Sequence, residues 1–344
     1  MYKKGIKKLG IVMFLSFILN IAFTYNSVKA YYEPTISRIS GDNRYATAAK
    51  VAVTNWTTSD NVVLVSGEEY ADAVSASSLA KKLDAPILLT TSNTLSPEAE
   101  YALNLLRIKN IYVIGGNASI SQNIRDTLKS KYTLTELEGS NRYETNIAVA
   151  KYLVKLGVSA SNIIVASGEG FADALSVSSV AAAKGQILLL ANNNKNSIQS
   201  SINFAKINCS KAVIVGTRDV ISDSIKNTFG ANATRVNGGA NRFDTNLAVL
   251  KTFKSDLKND NLYVANASAA IPDNLYADAL VASALAGKYS APLVLVDKDG
   301  TDATNNAMYY IKDTVSQNTH VQIIGGLSVI PDSIFDNIYF PLSI

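Results

Sequence analysis

The chain has 344 residues, of which 47% are hydrophobic and 17% charged, with one Cys and one His. That apolar content suits packed cores and excludes intrinsic disorder, and the length fits two or three domains. Cys209 has no second cysteine to pair with, and His320, the one histidine, leaves a His/Cys zinc site without ligands.

The chain opens on a secretory signal peptide pattern. Lys3, Lys4, Lys7 and Lys8 precede an apolar run from Leu9 to Phe23, and Val28-Lys29-Ala30 supplies the small residues of a cleavage site. The run is broken by Ser16 and Asn20 and falls short of the ~20 residues that span a bilayer. Cleavage after Ala30 removes five lysines and no acids, so a formal charge of +4 falls to −1. No bulk basic field then remains to favour nucleic acid, and no later run is long enough for a membrane span. The mature protein is expected to be exported and soluble.

The next hundred residues alternate strand and helix. Asn61 to Val65 is a β-branched run ended by Ser66-Gly67, which reads as a buried strand. Asp72 to Leu83 carries apolar residues at helical spacing, and Ile87 to Thr90 is a second buried strand. Ser96-Pro97-Glu98 opens a helix, with Ser as N-cap and Pro in the first turn, running to about Ile108. Ile111 to Ile114 is a third strand closed by Gly115-Gly116, and Gln122 to Lys131 a last helix. Strands separated by helices pair in parallel through right-handed crossovers, giving an α/β sheet.

This pattern occurs three times. Gly41-Asp42-Asn43-Arg44-Tyr45-Ala46-Thr47 returns from Gly139 to Thr145 and from Gly239 to Thr245, at intervals of 98 and 100 residues. Tyr70-Ala71-Asp72-Ala73-Val74 returns around Asp173 and Asp278; Ile87-Leu88-Leu89 returns as Ile187-Leu188-Leu189 and Leu293-Val294-Leu295. Val113-Ile114-Gly115 returns ending on Gly216 and Gly325. A period near 100 suits a small domain rather than a solenoid unit. The reading is a signal at 1–30 and repeats at 31–134, 135–234 and 235–344, leaving no residues for a further domain. Repeat three holds an insertion, placed between Ala267 and Asn274. One segment occurs four times: Ile36 to Ser40, Leu134 to Glu138, Thr234 to Asn237 and the tail Ile338 to Ile344. The tail is expected to cap repeat three as a strand.

The recurring polar residues have two readings. Arg44, Arg142 and Arg242 could grip an anion bidentately, or pair with Asp72, Asp173 and Asp278 of the same repeat. The joint recurrence favours the pair. Each Asp follows a strand and opens a helix, so capping is favoured over catalysis. Lone carboxylates a hundred residues apart are not the paired acids of glycoside hydrolysis. Gly168-Glu169-Gly170 mimics a dinucleotide fingerprint, but Asp173 stands where the third Gly belongs. His320 reads as a solvated turn residue and Cys209 as an inert buried thiol. Periodicity alone makes the Ile-Leu-Leu runs core strands. Gly115, Gly216 and Gly325 read as structural. No cofactor or metal is expected.

These four ordered blocks, over residues 36–340, resemble the clostridial-type cell wall-binding repeat 2 family. The resemblance implies three Rossmann-like units about a pseudo-threefold axis, exported by Gram-positive bacteria. It implies non-covalent attachment to an anionic secondary polysaccharide of the cell wall, as a surface-coat component. It also implies a part in attachment for Ile87, Leu88, Leu89, Ile187, Leu188 and Leu189. Leu293, Val294 and Leu295 depart from the motif conservatively, and Gly185-Gln186 stands in repeat two where Ala85-Pro86 and Ala291-Pro292 precede the run elsewhere. An enzyme lacks any assembled catalytic constellation. The alternative is an accessory protein that docks a wall hydrolase (an autolysin) or a surface-layer partner.

Overall fold

The computed structural model describes residues 34–68, 70–269 and 276–334. It holds three parallel four-stranded sheets, an α/β architecture. The first is ordered β3-β2-β4-β5, from β2 (Asn61–Ser66), β3 (Ile87–Thr90), β4 (Asn110–Ile114) and β5 (Thr133–Leu137). The second is β7-β6-β8-β9, from β6 (Asn162–Ser167), β7 (Ile187–Ala191), β8 (Lys211–Val215) and β9 (Thr234–Val236). In the third, β10 (Asn261–Asn266), β11 (Leu293–Val296) and β12 (His320–Ile324) are completed by β1 (Thr35–Ile39) from the start of the chain. The central strands are apolar without alternation because helices cover both faces.

The fourth strand of the first two sheets comes from the next copy in sequence. The boundaries expected at 134 and 234 therefore cut β5 and β9, which hydrogen-bond to the sheets before them. In the third sheet β1, from the first copy, takes that place, in register from Thr35 opposite His320 to Ile39 opposite Ile324. The tail Ile338–Ile344 lies outside the described residues. The strand position expected for it is filled, since β12 has β1 on one side and β10 on the other.

Helices close the same ring. Around one axis pack α3 (Ala76–Leu83), α7 (Phe171–Ala183) and α11 (Ala277–Tyr289). They approach closely because they present small residues. The equivalent Ser77, Ser178 and Ser283 are fully buried, and the hydroxyls of Ser77 and Ser283 lie 2.6 Å apart. A Cβ on Gly287 would stand 2.7 Å from the Ala182 Cβ, too close for any larger residue. The first helix of each copy, α1 (Arg44–Asn55), α6 (Arg142–Lys155) or α10 (Arg242–Thr252), docks on its neighbour. Helix α1 packs on α11, α6 on α3, and α10 on α7. That cyclic order is the pseudo-threefold arrangement.

Three helices differ from expectation, that from Gln122 only in ending at Lys129 rather than Lys131. The helix expected over 72–83 is split into α2 (Tyr70–Ala73) and α3 by a tight turn, where the Ser75 amide bonds Asp72 O at 3.2 Å. The next, α4 (Pro97–Leu105), stops before Ile108 because Arg107 turns left-handed at φ 59°. The remaining helices are α5 (Gln122–Lys129), α8 (Gln199–Asn208), α9 (Asp223–Lys226) and α12 (Asp302–Thr314). No helix among the described residues is long and apolar enough to cross a membrane.

Candidate functional site

Each sheet reverses its winding between two central strands, β2/β4, β6/β8 and β10/β12. In open α/β sheets such a reversal opens a crevice at the carboxyl ends of the strands, the usual place for a ligand. Here the N-terminus of the next copy's first helix walls the crevice. The cleft between the second sheet and α10 has a volume of about 1240 Å³, with Ser167, Asn192, Thr217, Asn241 and Arg242 in its walls. The cleft between the third sheet and α1 is about 180 Å³ and includes Arg44, Asn266 and Asp278.

Asn43, Asn141 and Asn241 cap the wall helices, each side chain accepting from first-turn amides. The arginine that follows each cap turns inward. Arg44 Nη1 donates to Gly67 O at 2.5 Å, Arg142 Nη1 to Gly168 O at 2.6 Å and Arg242 Nη1 to Ala267 O at 3.2 Å. Arg44 also lies 5.8 Å from the Tyr276 ring centre, and Arg242 4.5 Å from that of Phe171.

The Arg–Asp pairing expected within a repeat runs between repeats instead. Asp278 of the third copy faces Arg44 and Thr47 of the first. Asp173 of the second faces Arg242 and Thr245 of the third. The reason is the docking of each first helix on its neighbour, which sets the arginine beside the neighbour's aspartate while it keeps its bond to a carbonyl of its own copy. Burial raises the Asp278 carboxyl to about 6 despite Arg44 and Thr47. It raises Asp173 as well, against Thr245 and Arg242.

These aspartates are not N-caps. Gly170 and Tyr276 hold the cap positions of α7 and α11, and the acids sit in the first turn. Their carboxylates press on the glycines of the fourth block. A Cβ on Gly115 would lie 2.7 Å from Asp72 Oδ2, on Gly216 2.5 Å from Asp173 Oδ2, and on Gly325 2.8 Å from Asp278 Oδ2. The three glycines share φ of +111°, +116° and +127°, so both backbone and space exclude a side chain.

The Ile-Leu-Leu runs form β3, β7 and β11, and their side chains are core. Ile87, Leu88 and Leu89, Ile187, Leu188 and Leu189, and Leu293, Val294 and Leu295 are all at most 5% exposed. They present almost no surface to a ligand. The second copy is also offset by one residue from its sequence match. Leu188 pairs with Ile164 as Ile87 pairs with Val63 and Leu293 with Tyr263. The equivalent run is therefore Leu188-Leu189-Leu190, and Ile187 takes the place of Pro86 and Pro292. Three left-handed residues fix the register: Asp84, Gly185 and Ser290 end α3, α7 and α11 at φ 46°, 61° and 53°.

Several residues escaped the sequence reading. Asn146 Nδ2 donates to Leu188 O at 2.9 Å while its Oδ1 accepts from Leu190 N at 2.9 Å. Asn246 makes the same clamp on Leu293 O and Leu295 N. A polar residue on the inward face of both α6 and α10 was the available signal. Arg125 is 1% exposed and donates to Gly115 O and Ile120 O. Arg235 on β9 and Arg38 on β1 reach Gly216 O and Gly325 O in the other copies. One glycine carbonyl is thus held by arginine three times, from two different elements, which hides the repeat. Glu169, at the mouth of the larger cleft, accepts from Tyr143 and Asn192, and these bonds lower its carboxyl. His320 is half-buried rather than solvated, its Nε2 2.8 Å from Ser37 Oγ. Cys209 is half-buried with its thiol raised by burial. Only Ala267 to Ala269 of the expected repeat-three insertion fall among the described residues.

Comparison with known proteins agrees with this geometry. The model of cell wall binding domain 2 (CWB2) matches residues 38–125, 136–226 and 236–335. N-acetylmuramoyl-L-alanine amidase LytC of Bacillus subtilis (strain 168) is 33% identical over 84% of this chain and 53% of its own length. The amidase enhancer of the same organism is 30% identical over 88% of this chain and 41% of its own. The chain thus spans about half the length of these relatives. Cwp6 from Clostridium difficile superimposes with a TM-score of 0.78 at 29% identity, over 91% of this chain and 50% of its own. Cwp8 from the same organism gives 0.78 at 24% identity over 96% and 54%, a likeness of fold. Three copies of the domain, each contributing a strand to its neighbour, make this chain a member of the cell wall binding domain 2 family.

Proposed function

We propose that this chain is exported and attaches, without covalent bond or catalysis, to an anionic secondary polysaccharide of the Gram-positive cell wall, as a component of the surface coat. The observation that carries the reading is the threefold match to a wall-binding domain, arranged as a closed ring of equivalent faces. A ring can engage one polymer chain at several points, and each contact raises the effective concentration for the next. Arg44 and Arg242 support the reading by joining neighbouring copies through Asp278 and Asp173. The test is co-sedimentation of the purified chain with isolated cell walls, beside walls stripped of secondary polymer by acid. Binding to intact walls alone is expected. Equal binding to stripped walls would move the target to peptidoglycan.

The accessory reading draws on two relatives named for an amidase and its enhancer. Two outer grooves offer apolar contact. One lies between α6 and α8 with Val154, Phe204 and Ile207; the other lies between α10 and α12 with Tyr309 and Tyr310. Ile207 is 81% and Tyr309 69% exposed. Capture of a purified N-acetylmuramoyl-L-alanine amidase, lost on Ile207→Ser with Tyr309→Ser, would support it.

A further inference from the structure

The clefts are poorly charged to seat a polyanion. The larger carries Glu169, Asp173, Asp219 and Asp297 against Arg242 and Lys298, and Arg242 already faces Asp173. The opposite end of the molecule has the reverse balance. There α3, α7 and α11 end together, since a Cβ on Gly287 would touch both Ala182 and the Lys81 stem. Lys81 Nζ donates to Lys288 O at 2.8 Å, and the Lys258 amide to Ser290 O at 2.7 Å. Lys288 Nζ bonds Asp84 at 2.6 Å and stands 4.6 Å from the Trp56 ring centre. Lys184 Nζ is 2.6 Å from Asp256, beside the exposed Lys254, and Lys82 is exposed in the last turn of α3.

Six ammonium groups thus meet Asp84, Asp256 and, two residues past Lys258, Asp260. Lysine in a last helical turn complements the helix dipole, which accounts for Lys81, Lys82 and Lys288. It does not account for Lys254 and Lys258, which approach from outside these helices. Burial lowers the Lys81 ammonium, and Lys258 and Lys288 lower it further against the pull of Asp84. Like charges are crowded here, and a polyanion laid across them relieves the repulsion.

We propose that the anionic wall polymer is held on this lysine-rich end, around the pseudo-threefold axis, and not in the clefts. The inference rests on the wall-attachment reading. All three copies build the patch, so it exists only in the assembled ring.

The test uses the full chain and a triple variant, Lys82→Gln, Lys254→Gln and Lys258→Gln, chosen because all three side chains are exposed. A second triple variant, Lys151→Gln, Lys195→Gln and Lys206→Gln, makes the same change in net charge at exposed sites elsewhere. Urea midpoints equal to the parent's establish that both are folded. Co-sedimentation with isolated cell walls is measured from 50 to 300 mM salt. The patch variant is expected to bind about tenfold or more weakly, with a slope of log affinity on log salt lower by about 2. The second variant keeps the parent's affinity. If the parent binds and the patch variant binds equally well, the placement is wrong and attachment stands. If the parent fails to bind intact walls, the attachment reading falls and the placement with it. Binding by the parent to vesicles of anionic phospholipid, and not to walls, would assign the patch to a membrane and overturn the proposal.

Discussion

The carboxylate of Asp278 is walled in by protein, although part of the residue still touches the cleft. Arg44 and Thr47 favour its charged form, and burial outweighs them. At ~1.4 kcal/mol per tenfold change in proton affinity, raising a carboxyl from 3.8 to about 6 amounts to about 3 kcal/mol. A folded-state value above the unfolded one means that protons favour the fold. The stabilisation is complete below the unfolded value and is lost as pH rises through the folded one. Ionised Asp278 therefore costs the fold at most about 3 kcal/mol at neutral pH. Asp278→Asn keeps the shape and removes the charge. The variant should exceed the parent by up to about 3 kcal/mol at pH 7.5 and match it near pH 4, where the parent's carboxyl is neutral. Urea unfolding at both pH values, with equal m-values, measures the two differences and cancels the other titrating groups. A variant less stable than the parent at pH 7.5 would refute the reasoning, because attraction to Arg44 would then exceed the desolvation of the acid.

Other perturbations probe the shared geometry. Gly216→Ala forces a side chain into φ +116° and to within 2.5 Å of Asp173 Oδ2; a loss of about 2–3 kcal/mol in urea unfolding is expected, and Gly157→Ala, at φ +83° with nothing within 4 Å of its Cβ, should lose only the strain of about 1–2. Asn146→Ala leaves Leu188 O and Leu190 N without the side chain that now bonds them, which should lower stability by about 2–4 kcal/mol on the same assay. Arg125→Met removes the donor to Gly115 O and Ile120 O; a loss of about 3 kcal/mol and faster amide exchange at Gly115 to Ile120 should follow. Deleting Thr35–Ile39 opens the β12 edge and should raise hydrogen exchange in β12 while leaving β4 protected; unchanged β12 exchange would mean that another segment covers that edge.

The individual elements were legible because each carries its cause locally. Ile87–Thr90 matched to the residue, since a strand buried on both faces has a continuous apolar run with turns at both ends. Ser96 and Pro97 marked the start of α4, as N-cap and first-turn residue usually do. What the sequence could not show is which copy each element serves. A period near 100 residues makes Asp72, Asp173 and Asp278 interchangeable as partners for Arg44, and only the docking of α1 on α11 selects Asp278. The strand position beside β12 was ambiguous for the same reason: Ile36–Ser40 and the tail have the same character, and hydrogen bonding to β12 chooses the first. The slip at Ile187 has a different origin. Ile-Leu-Leu in the second copy matches the first by residue identity, while the equivalent left-handed residues Asp84 and Gly185 set a register one residue later. Identity fails there because Leu188-Leu189-Leu190 meets the same demand as Ile87-Leu88-Leu89, namely apolar volume between a sheet and two helices. The requirement at each run is burial, and that is why a motif so visible in the sequence lies entirely inside the protein.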